Sequence, residues 1–213
     1  EIMGENVFCT ALAGEELGRL KTWGTHPVSK AEHLLSSPSE MNDLPQTFME
    51  PLLFKTACAR GTQARMSTEY VSHEQDDEGV TTTCRDRLTG RDFTIRSKYL
   101  VGADGGNSLV AQHIGLPFEG KMGVAGSMNI LFKADLTRYV AHRPSVLYWV
   151  LQPGSNVGGI GMGLVRMIRP WNEWLINWGY DISQGVPDVD NAFAEGVARD
   201  LIGDPDIDIE ITS

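Results

Sequence analysis

The sequence predicts a mixed α/β protein built on two β-sheets, and three observations carry that expectation. Between residues 64 and 97, short runs rich in Thr, Val, Arg and Tyr alternate with the turn formers Asp76-Asp77-Glu78-Gly79 and Thr89-Gly90, the pattern of a β-meander. Directly after it, Tyr99-Leu100-Val101 runs into a glycine turn that opens a helix. Beyond Pro117 the composition shifts to longer apolar strands at 126–133, 145–152 and 158–167, as one antiparallel sheet requires. The expected division is residues 1–116, with the meander and the strand-turn-helix unit, and residues 117–213, with the second sheet.

The first forty residues mix Gly, Ser, Pro and His without a sustained period, which predicts loops and short strands. A helix is expected over 44–60. Asp43 can cap it, Pro45 suits its first turn, and Gln46 stands three residues after the cap as in a capping box. Phe48, Leu52, Thr56 and Ala59 then recur at helical spacing as far as Gly61. The meander strands fall at 64–75, 80–88 and 92–97, and residues 98–101 read as a short buried strand. Asn107 or Ser108 caps the next helix, which runs to Ile114 and stops at Gly115. Pro170 followed by Trp171, Trp174, Leu175 and Trp178 predicts an amphipathic helix, residues 189–202 predict another, and 209–212 a final strand.

Composition excludes several classes. Lys and Arg total 18 against 28 Asp and Glu, a net charge of −10, so nucleic acid and anionic membranes are poor partners. Three cysteines, Cys9, Cys58 and Cys84, form no C-x-x-C pair and cannot all close into disulfides, which points to a reducing, cytoplasmic setting. No apolar run is long enough for a membrane span. The five histidines show no metal-ligand spacing, and no G-x-S-x-G marks a nucleophile. Glu at residue 1 and a strand just begun at the other end suggest an internal portion of a longer protein.

The turn Gly102-Ala103-Asp104-Gly105-Gly106-Asn107-Ser108 is the most informative stretch. A strand that ends in glycines and opens a helix can present free backbone N–H groups to a phosphate or a polar cofactor edge. Equally, Asp104 and Ser108 can serve only to satisfy local backbone donors. Gly159, Gly161 and Gly163 line one face of a strand, which fits either a ligand lying close or tight packing. Tyr148 and Trp149 project to opposite faces of their strand, so one of them should face a pocket, where Tyr148 could hydrogen-bond a ligand oxygen, although an aromatic in such a strand is more often core. Asn129, a polar residue in an apolar run, is a further pocket candidate.

The 102–108 stretch resembles the internal Asp-Gly fingerprint of the FAD-dependent aromatic hydroxylases, the flavoprotein monooxygenases. The family pattern continues to an Arg near position 111, where this chain has Ala111. The likeness extends through Asp43-Leu44-Pro45-Gln46 and covers nearly the whole chain. Two stretches, Arg143-Pro144-Ser145-Val146-Leu147-Tyr148-Trp149 and Arg166-Met167-Ile168-Arg169-Pro170-Trp171, are similar to the dichlorophenol and phenol hydroxylase branch.

The resemblance implies part of a Rossmann-like FAD-binding domain followed by a substrate-binding β-sheet domain, as in para-hydroxybenzoate hydroxylase. It implies ortho-hydroxylation of a phenol, a chlorophenol first, to a catechol through a flavin hydroperoxide. FAD is the cofactor, NADPH the reducing co-substrate and O₂ the oxidant; self-association as a homo-oligomer is left open. A larger aromatic such as a polyketide, or a non-enzymatic module of the same fold, are the alternatives. By resemblance, the cofactor is met by Gln46, Tyr70, Val71, Ala103, Asp104, Gly105 and Ser108. Gln46 in a capping box has an equally local role. The family's G-x-G-x-x-G pyrophosphate turn and its later Gly-Asp motif are not in these residues. The 213 residues alone are therefore expected to bind FAD poorly and to be inactive.

Overall fold

The structure is a computed structural model that describes residues 4–116, 118–121, 123–152 and 162–213. Its strands and helices follow in the order β1 (Glu5–Cys9), β2 (Glu16–Lys21), α1 (Pro27–Ser36), α2 (Gln46–Ala59), β3 (Thr68–Asp76), β4 (Gly79–Asp86), β5 (Asp92–Ser97), α3 (Leu109–His113), β6 (Gly126–Lys133), α4 (Thr137–Val140), β7 (Leu147–Leu151), β8 (Met162–Arg169), β9 (Glu173–Tyr180), α5 (Asn191–Ile202) and β10 (Glu210–Ile211). They divide into two compact units, residues 1–45 with 122–213, and residues 46–121.

The larger unit is a seven-stranded sheet in the order β10-β6-β9-β8-β7-β1-β2, antiparallel except where β1 runs parallel to β7. One face of it is the core. Val7, Tyr148, Val150, Val165, Phe132, Trp174 and Ile176 are buried there with Ala194, Ala198, Leu201 and Ile202 of α5. Helix α5 forms as expected: Asp190 accepts from the Phe193 N–H at its start, and Gly203, at φ 78°, ends it. The smaller unit is the three-stranded meander β3-β4-β5 with α2 and α3.

Four expectations are corrected. Residues 5–21 do not group with the meander: β1 and β2 extend the large sheet, so the compact units divide at residues 45 and 121, not at 116. Trp171, Trp174 and Trp178 are not on a helix, because Trp171 is in a turn and 173–180 is strand β9 between β6 and β8. A spacing of four residues returns to one face of a helix and also to one face of a strand, so Trp174 and Trp178 satisfied both periods. Residues 98–101 form no strand among the described residues, and Tyr99 and Val101 are 84% and 82% exposed. Helix α1, with Pro27 in its first turn and His26 accepting from Val28 N–H, was not expected, since it buries no residue and carries no conventional cap.

Arg143 holds the opening segment to the sheet. Its guanidinium is 2% exposed and donates from Nη2 to the carbonyls of Leu12 (2.5 Å), Gly14 (3.3 Å) and Ala11 (3.4 Å), and from Nε to Tyr139 (3.3 Å). A planar fork of donors suits several carbonyls at once, which a lysine cannot match.

Candidate cofactor and substrate sites

In the smaller unit the glycine turn is exposed from Val101 to Asn107, and Ser108 is buried. Asp104 accepts from Ser108 Oγ (2.6 Å) and from the Val110 N–H (3.3 Å), while Ser108 Oγ accepts from the Ala111 N–H (2.9 Å). The Ser108 hydrogen bond is the main cause that holds the Asp104 carboxyl below its usual range. The local role of Asp104 and Ser108 is therefore filled. Helix α3 has only five residues, and two of its first amides are taken by these side chains, so a helix-dipole site is not what the turn offers. It offers open backbone instead. Gly105 adopts φ 75°, and nothing lies within 4 Å of where a Cβ would stand on Gly105 or Gly106. A flat polar group could approach there without obstruction, so the residues present fit the edge of a bound FAD. Gly102 is needed for the opposite reason: a Cβ there would come within 2.9 Å of Val110.

Tyr70 and Val71 lie on β3. The Tyr70 hydroxyl is 2.6 Å from His73 Nδ1 and 2.7 Å from His113 Nδ1, and burial, then the charge of Asp104, pushes its phenol up. Ala103 and Gly105 belong to the exposed turn, and Gln46 is exposed as the first residue of α2. Asp43, expected to cap that helix, receives a hydrogen bond from Arg166 Nη2 of β8 at 2.5 Å.

In the larger unit, Tyr148 and Trp149 take opposite faces as expected. Tyr148 is on the core side, fully buried. Its hydroxyl donates to the Arg143 carbonyl (3.0 Å) and accepts from the Ser145 N–H (2.8 Å), and burial pushes its phenol up to about 12. With its one proton given to a backbone carbonyl and its oxygen sealed in the core, this hydroxyl is not available to orient a substrate. Gly163 also faces the core, where a Cβ would come within 2.3 Å of Leu201 Cδ2, so its lack of a side chain admits α5 rather than a planar ring. Gly159 and Gly161 lie outside the described residues.

Trp149 is on the face opposite the core. The strand register places Phe8, Trp149, Leu164, Asn177 and Asn129 in one row across β1, β7, β8, β9 and β6. Phe8 and Trp149 stack with centroids 6.1 Å apart and planes 10° from parallel. Asn177 Nδ2 donates to Asn129 Oδ1 at 3.0 Å. The Trp149 indole N–H is shielded yet has no hydrogen-bond partner among the described residues. Trp149 and Asn129 were legible in the sequence. Phe8, Leu164 and Asn177 were not, because only strand pairing brings residue 8 beside residue 149.

The chain carries a wide sheet with one helix-covered face and one aromatic-and-amide face, and a β-meander followed by a glycine turn. The flavin-dependent monooxygenase PieE, solved with FAD and substrate, matches it with a TM-score of 0.89 at 38% identity, over 100% of this chain and 36% of that one. Aklavinone-11 hydroxylase, solved with FAD and aklavinone, shares the fold with a TM-score of 0.74 at 22% identity, over 98% and 38%. Residues 2–213 match the family model described as FAD binding domain, and the chain belongs to that family. It is 57% identical over 213 residues to a 2,4-dichlorophenol 6-monooxygenase of Delftia acidovorans, covering 100% of this chain and 36% of the relative. It is 48% identical over 213 residues to a phenol 2-monooxygenase of Pseudomonas sp. (strain EST1001), covering 99% and 33%. The chain thus spans about a third of the length of the curated relatives it matches.

Proposed function

We propose that this chain is the part of a phenol-hydroxylating flavoprotein monooxygenase that supplies the FAD-facing glycine turn and the sheet on which the phenol lies. The observation that carries the substrate half is the row from Phe8 to Asn129, with its stacked Phe8–Trp149 pair. None of its five residues titrates near neutral pH. The row can therefore orient a ring by stacking and exclude water, but it cannot take the phenol proton. The cofactor half rests on the open backbone of Gly105 and Gly106, with Ala103, Asp104 and Ser108 shaping the turn and Gln46, Tyr70 and Val71 as further contacts. FAD bound there, reduced by NADPH, would supply the oxygen-activating chemistry that makes a catechol from a phenol. A chlorophenol is favoured over a polyketide, because identity to the dichlorophenol enzymes is 56–57% and to the polyketide hydroxylases 28–31%.

The test uses the full-length parent and compares Trp149→Ala, which removes the indole from the row, with the unaltered enzyme. Loss of an aromatic face against the ring should raise KM for 2,4-dichlorophenol about tenfold. It should also uncouple NADPH oxidation from catechol formation. An unchanged KM with full coupling removes Trp149 from the site, and faster turnover of a polyketide than of any phenol sinks the substrate assignment.

A further inference from the structure

We infer that Tyr70, His73 and His113 form a hydrogen-bonded clamp that positions the 102–108 turn, and that one of the two histidines carries a proton on Nδ1. The proton count is forced by the geometry. A phenol has one O–H to donate, yet the Tyr70 oxygen lies within hydrogen-bond distance of two Nδ1 atoms, at 2.6 and 2.7 Å. It donates to one ring and accepts from the other, so the second ring is an Nδ1–H donor.

Strand irregularity makes the clamp possible. Residues three apart on a regular strand point to opposite faces. Here the β3–β4 register slips between Tyr70 and Ser72, leaving Val71 as an extra residue. Tyr70 then pairs with Cys84 and His73 with Thr82, two positions of β4 that share a face. The third member, His113, is the last residue of α3. A five-residue helix is not stable by itself, so its place is set by what holds its ends. Asp104 and Ser108 hold the first end through Val110 and Ala111, and the clamp holds the last. Tyr70 thus acts on the turn through α3, and its meaning for the cofactor rests on the function proposed above.

Long-range 1H–15N spectra of the 213-residue chain should show one histidine with a protonated Nδ1, and Tyr70→Phe should abolish that signature. The same change should speed hydrogen exchange at Val110 and Ala111 about fivefold to tenfold, the effect of losing one such hydrogen bond. The amides of β6 in the other unit should keep their rates. His113→Asn, which retains a donor, should preserve slow exchange, and His113→Leu should not. Two rings with bare Nδ1, or exchange that rises everywhere alike, overturns the clamp. In the full-length parent, Tyr70→Phe should weaken FAD retention several-fold. If Asp104→Ala weakens it and Tyr70→Phe does not, the positioning role is overturned while the cofactor site stands. If neither does, the cofactor reading on which the role rests is overturned instead.

Discussion

Arg143 shows how much a single buried cation can organise. The carbonyls of Ala11, Leu12 and Gly14 to which it donates belong to the connection between β1 and β2, where Leu12 is the one side chain buried in the core. Arg143→Met removes the donors and leaves buried acceptors, which should cost about 2–3 kcal/mol. The urea midpoint should fall with an unchanged m-value, and a loss under about 1 kcal/mol would show that water replaces the guanidinium. Tyr148 makes a second prediction. Its phenol is raised from 10.0 to about 12, chiefly by burial. Between those values the unfolded chain loses the proton while the folded chain keeps it, so stability present below pH 10 is lost as pH rises toward 12. The loss should reach roughly 2–3 kcal/mol, from 1.36 kcal/mol per pH unit. Tyr148→Phe, which has nothing to titrate, should flatten the stability curve over that window.

At the scale of elements, packing of α5 on the core face settles the role of Gly163. A Cβ at 163 would lie 2.3 Å from Leu201 Cδ2, and Leu201 is itself 3% exposed, so it has little room to swing aside. Gly163→Ala should cost about 1–3 kcal/mol through overpacking. Leu201→Ala made on top of it should cost less than it does alone, because the new methyl occupies part of the space it vacates. Additive losses in a double-mutant cycle would place α5 elsewhere. The meander, β6, β7 and α5 were legible because each has the right period between clear turn or cap residues. Strand β9 was not, since tryptophans four apart fit two periods. Residues 98–101 carry the composition of a buried strand and lack a neighbour to pair with among the described residues; a strand exists only beside another.

For the molecule as a whole, the family's pyrophosphate-binding glycine motif is not among these 213 residues, and the helix N-terminus after the glycine turn is satisfied internally. Flavin titration of the 213-residue chain should accordingly show no saturation at micromolar concentration, whereas the full-length parent should retain FAD through purification. Stoichiometric binding by the short chain would mean that Gly105, Gly106 and their neighbours hold far more of the cofactor than open backbone explains.

The sequence by itself determined the local elements with clean periods, the acidic surface charge, and the family, because turns, caps and the 102–108 motif are written in consecutive residues. Only the tertiary structure decided that residues 5–21 complete the large sheet, that Tyr148 and Gly163 face the core, that Trp149 joins Phe8 and Asn129 on the other face, and that Tyr70 meets two histidines. Each of these depends on strand register or on a side chain reaching across more than forty residues of chain, and register is fixed by burial of a whole face rather than by any one residue's preference.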